Sequence, residues 1–193
     1  MEISTYVDAI TTPLQRVAAL LNERVASGAL PAVSRLGLWS AIVSHVLERF
    51  VEAFSRVKRC TVPGRGLMTL DIGHTYACAT RCGPTLPGVL SREKSYADAY
   101  VSAYYLESES DVLTWIVQQR SAYPLRLMRA LLTNGPVGAK NKGQQARQLT
   151  NAIDAMYVLP REEGPGAAAV ASAALASGIA AATGLSVPSY GNI

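Results

Sequence analysis

Cysteine and histidine are scarce in this sequence, which has three cysteines and two histidines among 193 residues. Three cysteines are too few for the disulfide framework of a small secreted domain. The first residues also lack the basic start and apolar stretch of a secretory signal peptide, so we expect a protein of a reducing, cytoplasmic compartment. A chain of this length buries enough surface to fold without disulfides or a structural metal.

Valine, isoleucine and threonine are outnumbered in the apolar segments by leucine and alanine, with arginine, glutamate and glutamine between them. These residues favour helix over strand. Apolar positions recur every three or four residues, most clearly over residues 3–26 and 33–57, as in amphipathic helices. Pro13 predicts a kink or break within the first of these. The sequence therefore predicts an all-α fold, an antiparallel helical bundle.

Proline and glycine divide the rest of the chain into shorter predicted helices. Residues 63–66 predict a break before a helix whose apolar face carries Leu67, Leu70, His74, Ala77 and Arg81. A capping box at residues 108–111 opens another helix. Pro124 starts or interrupts the next helix, which the sequence Asn134-Gly135-Pro136 stops. Residues 146–156 form the last amphipathic helix.

The last part of the chain is rich in alanine, glycine and serine and carries no charge from Gly164 onward. This segment is long enough to span a bilayer, but alanine and serine lack the apolar surface that makes insertion stable. We therefore interpret residues 161–193 as a disordered low-complexity tail. Residues 1–160 are then the folded domain.

The formal net charge of +4 is unevenly distributed. Residues 1–111 carry eleven basic and eleven acidic side chains, whereas residues 112–161 carry seven basic side chains and a single acid, Asp154. Seven cations over fifty residues are sparse for a nucleic-acid-binding surface, and we expect no nucleic acid partner. We predict a basic partner-binding surface, for an acidic protein or alternatively for anionic lipid, formed by Arg126, Arg129, Lys140, Lys142 and Arg147.

Three potential metal ligands, His74, Cys78 and Cys82, are spaced four residues apart and would share one helix face. Positions i and i+4 suit two ligands of one zinc ion, but a third ligand one turn further is too distant. We therefore interpret the cysteines as small buried thiols of a core helix. We expect no metal and no cofactor.

Two glycine segments resemble anion-binding loops. Residues 64–66 could hold an anion at a helix N-terminus, although a tight turn between helices explains them with fewer assumptions. Residues 135–140 have the wrong glycine and lysine spacing for a phosphate-binding loop, and we interpret them as a helix connection. With no catalytic constellation in the sequence, we expect a protein that is not an enzyme.

Tyrosines at positions 96, 100 and 104 are spaced four residues apart. Tyrosine is enriched at protein interfaces, so these side chains could form a recognition stripe. A buried face of a helix with the hydroxyls at its edge is the preferred interpretation. Trp39 and Trp115 are interpreted in the same way, as core residues.

Five collinear segments resemble the C-terminal domain of the syndetin family. Two of them read Phe50-Val-Glu-Ala-Phe-Ser-Arg-Val-Lys-Arg-Cys60 and Gly64-Arg-Gly-Leu-Met-Thr-Leu-Asp71. The other three are residues 6–10, residues 100–106 with Trp115-Ile116 after them, and residues 146–154. The Gly- and Pro-rich stretch at residues 81–94 departs from the family pattern, and the chain is much shorter than a full syndetin.

The resemblance implies a helical bundle of the helical-rod tethering-complex type. It also implies a non-enzymatic role in endocytic recycling and endosomal retrograde transport, as part of the endosome-associated recycling protein complex, the EARP complex. Implied partners are the subunits shared with the Golgi-associated retrograde complex, and SNAREs. The implied location is peripheral, on recycling endosomes or trans-Golgi membranes. The alternative is a peripheral membrane-binding helical domain that uses its basic face on anionic lipid.

Overall fold

The computed structural model describes residues 3–58, 60–84, 90–140 and 144–158. These residues form eight α-helices and one 3₁₀ turn, and none of them lies in a β-strand, which confirms the predicted all-α class. The chain divides into two compact units, Met1–Tyr105 and Leu106–Ile193. The helices are α1 (Thr5–Ala26), α2 (Ala32–Ser55), α3 (Val62–Cys82), α4 (Ser91–Ser102), α5 (Glu109–Gln119), α6 (Leu125–Asn134), α7 (Pro136–Lys140) and α8 (Gln144–Val158), with the 3₁₀ turn at Ala103–Tyr105.

The first two helices follow their predicted apolar faces. Val7 and Leu14 of α1 are buried, and Pro13 lies inside the helix, which continues past it. The predicted break at this proline is therefore wrong. A proline removes one hydrogen-bond donor from the helix, but buried residues of α1 lie on both sides of Pro13, and their packing keeps the helix continuous. In α2, Trp39 and Phe50 lie on the buried face, as predicted.

The third helix begins earlier than predicted. The expected break at residues 63–66 falls inside the first turns of α3, because Thr61 is its N-cap and accepts a hydrogen bond of 3.2 Å from the Gly64 amide. Pro63 stands in the first turn, where the helix needs no amide donor. The interpretation of residues 64–66 as a turn between helices is therefore wrong.

The buried face of α3 also differs from the predicted face. Leu70, which was expected to be inside, is 40% exposed. Apolar periodicity failed here because polar side chains, among them Arg65 and Asp71, lie inside and form hydrogen bonds there. The buried residues of α3 are Arg65, Met68, Asp71, Ile72, Thr75, Cys78 and Ala79.

The helices of Met1–Tyr105 pack as a bundle in which α1 lies chiefly on α3 and α4 chiefly on α2. Helices α1 and α2 are antiparallel: the Tyr6 and Phe50 rings lie 6.0 Å apart, and Arg35 donates a hydrogen bond of 2.7 Å to the Asn22 side chain near the other end. The short 27–31 connection is of the length found in antiparallel helix hairpins. The predicted antiparallel packing is present in this pair.

Aromatic side chains fill the centre of this unit. Tyr100 and Tyr104 are fully buried, and the Tyr104 hydroxyl donates a hydrogen bond of 2.9 Å to the Phe54 carbonyl oxygen. The preferred interpretation of the tyrosines as a core face is confirmed for these two, while Tyr96 is half-buried. Trp39 is buried as predicted, and a Cβ atom on Gly83 would lie only 2.0 Å from its indole nitrogen.

The unit Leu106–Ile193 contains the last four helices. The predicted helix start at residues 108–111 is confirmed, since Ser108 is the N-cap of α5 and its hydroxyl accepts a hydrogen bond of 3.1 Å from the Asp111 amide. Helix α6 follows Pro124 directly, and Gly135 ends it, as predicted. Trp115 of α5 is half-buried, with its ring 5.4 Å from that of Tyr123.

Within the described part of the chain, no helix combines the length and the apolarity needed to cross a membrane. The predicted tail, residues 161–193, lies outside the described residues, and so does the alanine-rich stretch considered as a membrane span.

Candidate functional site

The predicted basic surface lies on the last helices of the chain. Arg126 and Arg129 are exposed on α6, and Arg147 is exposed on α8. Lys140 is the last residue of α7, and Lys142 lies outside the described residues. The positions of three of the five predicted residues can therefore be related to one another.

Arg129 forms a two-point ion pair with Asp154 across α6 and α8. Its Nε atom lies 2.7 Å from one carboxylate oxygen of Asp154, and its Nη2 atom lies 2.7 Å from the other. This hydrogen bonding raises the pKa of Arg129. Asp154 is the only acidic residue among residues 112–161. The two contacts of the pair fix the direction in which the Arg129 guanidinium points.

The other two arginines lie on either side of this pair. Arg126 is one turn from Arg129 on the same face of α6, and Arg147 is seven residues before Asp154, on the same face of α8. Seven residues of helix span about 10 Å. We define the basic face as Arg126, Arg129 and Arg147; with Asp154 subtracted, it carries two net positive charges.

Helices α6 and α8 hold the basic face in place by their antiparallel packing. The Tyr157 hydroxyl, near the end of α8, donates a hydrogen bond of 2.8 Å to the Tyr123 carbonyl oxygen, just before α6. Leu127 and Leu131 of α6 and Ile153 of α8 are buried. The three arginines therefore lie on two helices that pack against each other, and this packing maintains their spacing.

A pocket in the first unit was not predicted from the sequence. It has a volume of about 410 Å³ and lies between the start of α1, the end of α2 and the first half of α3. Cys60 and Thr61 lie at its edge between α2 and α3. Its apolar lining consists of Ala53, Phe54, Val57, Leu67 and Met68.

One wall of the pocket is polar and is built around Asp71. This carboxylate is 1% exposed and accepts hydrogen bonds from the Ser4 amide at 2.9 Å, the Ser4 hydroxyl at 2.8 Å and the Tyr6 hydroxyl at 2.6 Å. Burial, and secondarily the hydrogen bond to Asp71, raise the pKa of Tyr6. The hydroxyl therefore remains a donor, and α1 is fastened to α3.

Arg65, which lies in the glycine segment considered for anion binding, points into the protein. It is 8% exposed, its Nη1 atom donates a hydrogen bond of 2.6 Å to the Tyr104 carbonyl oxygen, and its guanidinium lies 4.8 Å from the centre of the Tyr105 ring. These contacts connect the first turn of α3 to the end of the unit. Arg65 thus has a packing role.

The three potential metal ligands of α3 do not form a metal site in the described structure. No group of three His, Cys, Asp or Glu side chains among the described residues could hold a metal ion. Cys78 is buried, as the preferred interpretation required, and its Sγ atom lies 4.0 Å from that of the half-buried Cys82. Burial, with a smaller effect of the neighbouring Cys78, raises the pKa of the Cys82 thiol.

Comparison with known protein families gives one match that covers most of the chain. The model of the family described as "Syndetin, C-terminal" matches residues 1–154. The chain belongs to the syndetin C-terminal family. All five segments on which the resemblance rested lie inside the matched range, as do both Arg129 and its partner Asp154.

Three curated relatives of this chain are named syndetin. The chain is 27% identical to rat syndetin (Rattus norvegicus) over 151 residues, 28% identical to mouse syndetin (Mus musculus) over 149 residues, and 26% identical to chicken syndetin (Gallus gallus) over 151 residues. These alignments cover 78%, 77% and 78% of this chain. The chain spans 15% of the length of each of these syndetins. No solved structure matches it.

Proposed function

We propose that this chain is a non-enzymatic protein-interaction domain of a vesicle-tethering complex subunit that acts in endocytic recycling and endosomal retrograde transport. Membership of the syndetin C-terminal family supports this role. The helical architecture is also suited to it, because packed helices present stable surfaces for other proteins. The proposed partners are subunits shared with the Golgi-associated retrograde complex, and SNAREs.

The basic face is the observation that carries the binding mechanism. Arg126 and Arg147 are exposed on rigid helices, and the Arg129–Asp154 pair lies between them. A surface of this kind attracts an acidic partner and orients it during approach. We therefore place the proposed contact on α6 and α8, with Lys140 and Lys142 as further members.

Affinity capture tests this proposal. The chain is tagged in its own cells and the bound proteins are identified by mass spectrometry. We expect enrichment of the subunits shared with the Golgi-associated retrograde complex, or of SNAREs. Recovery of neither class would contradict the proposal, since a tethering domain must bind at least one of them.

Direct binding to anionic lipid is the second candidate function. The three arginines with Asp154 subtracted carry two net charges, and Lys140 and Lys142 bring the total to four. At about 1 kcal/mol per charge, an anionic membrane surface then contributes about 4 kcal/mol, which corresponds only to millimolar affinity. For this reason we favour a protein partner and propose a peripheral, cytoplasmic-side location on recycling endosomes or trans-Golgi membranes. Flotation of the purified chain with vesicles of phosphatidylcholine, with and without phosphatidylserine, separates the two candidates. Flotation only with phosphatidylserine would favour the lipid candidate.

A further inference from the structure

The pocket beside Asp71 and the basic face belong to different units, because all lining residues of the pocket lie within Met1–Tyr105. Its volume of about 410 Å³ is within the range of sites that accept a small ligand or large side chains of a partner. Two of its lining side chains, Tyr6 and Val57, are 44% and 38% exposed. The pocket is therefore reachable from outside this unit.

The lining residue Val57, at the edge of the pocket, has a basic residue on each side of it in the sequence. Val57 stands between Arg56 and Lys58, and all three side chains are exposed. The N-terminus of α3 begins just beyond, after Thr61, and contributes the positive end of a 21-residue helix. An occupant that carries acidic groups beside its apolar part matches this edge.

The polar wall further restricts the occupant. A carboxylate offers about four acceptor positions, and the Asp71 oxygens accept three hydrogen bonds from Ser4 and Tyr6. Asp71 lines the pocket, so the favourable occupant is one that brings an N–H or O–H donor to this carboxylate. An acyl chain has no such donor and would leave this buried carboxylate beside hydrocarbon, which is unfavourable. Tryptophan and tyrosine combine a large apolar body with a donor.

We propose that this pocket docks an acidic amphipathic segment of a partner protein, which inserts a tryptophan or tyrosine side chain against Asp71. Apolar side chains of the same segment contact Phe54 and Leu67, and its acidic residues face Arg56 and Lys58. This is the helix-in-groove mode of peptide recognition, in which one or two aromatic anchors supply most of the binding free energy. The contact is additional to the one proposed for the basic face.

Photo-crosslinking in the cells of origin tests the pocket directly. The crosslinking amino acid p-benzoylphenylalanine replaces Ala53, an exposed lining residue of α2, in the full chain. Ala41 is the matched control, because it is also an exposed alanine of α2 and does not line the pocket. After irradiation, the attached molecule is identified by mass spectrometry at the level of the crosslinked peptide.

We expect crosslinks from position 53, at least about tenfold stronger than those from position 41, to a peptide that contains Trp or Tyr and several Asp or Glu residues. Reversal of the edge charges with Arg56→Glu and Lys58→Glu should reduce the yield about tenfold. The milder pair Arg56→Ala and Lys58→Ala should reduce it in the same direction. Circular dichroism verifies that each variant keeps its helical content.

Several results would overturn the proposal. They are attachment to an acyl chain alone, equal yields from positions 53 and 41, a crosslinked peptide without acidic or aromatic residues, and no crosslink at all. A yield that does not respond to the charge reversal would also overturn it. Variants of Arg126 and Arg147 should leave the position-53 crosslink unchanged, so failure here and failure of the proposed function are distinguishable.

Discussion

The Tyr6 hydroxyl donates a hydrogen bond of 2.6 Å to the Asp71 carboxylate, 65 positions further along the chain. Ser4, the N-cap residue of α1, gives its side-chain hydrogen bond to the same carboxylate instead of to its own helix. The start of α1 is therefore held by α3. Because these residues also line the pocket, the contact connects the stability of the unit to the shape of a binding site.

Replacement of this carboxylate should strongly destabilise the first unit. Asp71→Ala leaves two hydroxyl groups and one amide without their acceptor, and hydrogen bonds to buried charged groups are the costly ones to remove. We predict that the free energy of unfolding decreases by about 3 kcal/mol, measured by urea titration followed by circular dichroism. The control is Asp98→Ala, which breaks the half-exposed Lys94–Asp98 ion pair and should cost less than about 1 kcal/mol. Equal costs would contradict the anchoring role.

The sequence predicted α2 and the buried tyrosines well, because their apolar residues follow the helical period without interruption. It did not predict the inner face of α3, where Arg65, Asp71 and Thr75 are buried. Periodicity arguments assign such side chains to solvent, and their partners lie in distant parts of the sequence. Thr61 followed by Pro63 was a local signal for the start of α3 that could have been used.

The candidate site was predictable in composition but not in geometry. An excess of basic residues in 112–161 is visible by counting, whereas the pairing of Arg129 with Asp154 is not, because the two residues are 25 positions apart and lie on different helices. The pocket was not predictable for a similar reason. Its polar wall joins residues near position 4 to residue 71, and only the packing of α1 on α3 brings them together.

Two glycine substitutions in the same unit should have opposite effects. A Cβ atom at Gly83 would lie 2.0 Å from the indole nitrogen of Trp39, a side chain that is 1% exposed and has no room to move. We predict that Gly83→Ala lowers the free energy of unfolding by about 2 kcal/mol. A Cβ atom at Gly37, in α2, would have no other atom within 4 Å. Alanine favours helix over glycine, so Gly37→Ala should raise the free energy of unfolding by about 0.5 to 1 kcal/mol. The thermal midpoints of both variants provide the measurement, and a shift of the same sign in both would contradict this packing.

Stability should decrease in alkaline solution because of Tyr104. Burial, with a smaller effect of the nearby Cys60, raises the pKa of this hydroxyl in the fold above the ordinary tyrosine value near 10. The unfolded chain therefore loses this proton first, so the stabilisation is complete below about pH 10 and decreases as pH rises further. We predict a loss of up to about 1.4 kcal/mol per pH unit from this residue.

The variant Tyr104→Phe isolates this effect. It loses the hydrogen bond to the Phe54 carbonyl, which should cost about 1 kcal/mol at neutral pH. Urea unfolding between about pH 9 and pH 11 should then show a shallower decline for the variant than for the natural chain. Parallel declines would mean that Tyr104 ionises equally in the folded and unfolded states.

The alanine- and glycine-rich end of the chain should be dispensable for folding. Residues 161–193 lie beyond the range matched by the family, which ends at residue 154. We propose that residues 1–160 are the folded domain and predict that a chain ending at residue 160 keeps its helical content and its thermal midpoint within about 2 °C. A lower midpoint would show that the end of the chain contributes to the folded domain.

Charge reversal on the basic face, combined with affinity capture, tests the central claim most directly. The tagged variant Arg126→Glu, Arg147→Glu is compared with the natural chain and with Arg16→Glu, Arg24→Glu, which reverses two exposed arginines of α1. If the basic face binds the partner, the first variant recovers at least about tenfold less of the tethering subunits or SNAREs, and the control recovers amounts close to normal. Equal recovery by all three chains would contradict the claim that this domain binds its partners through α6 and α8.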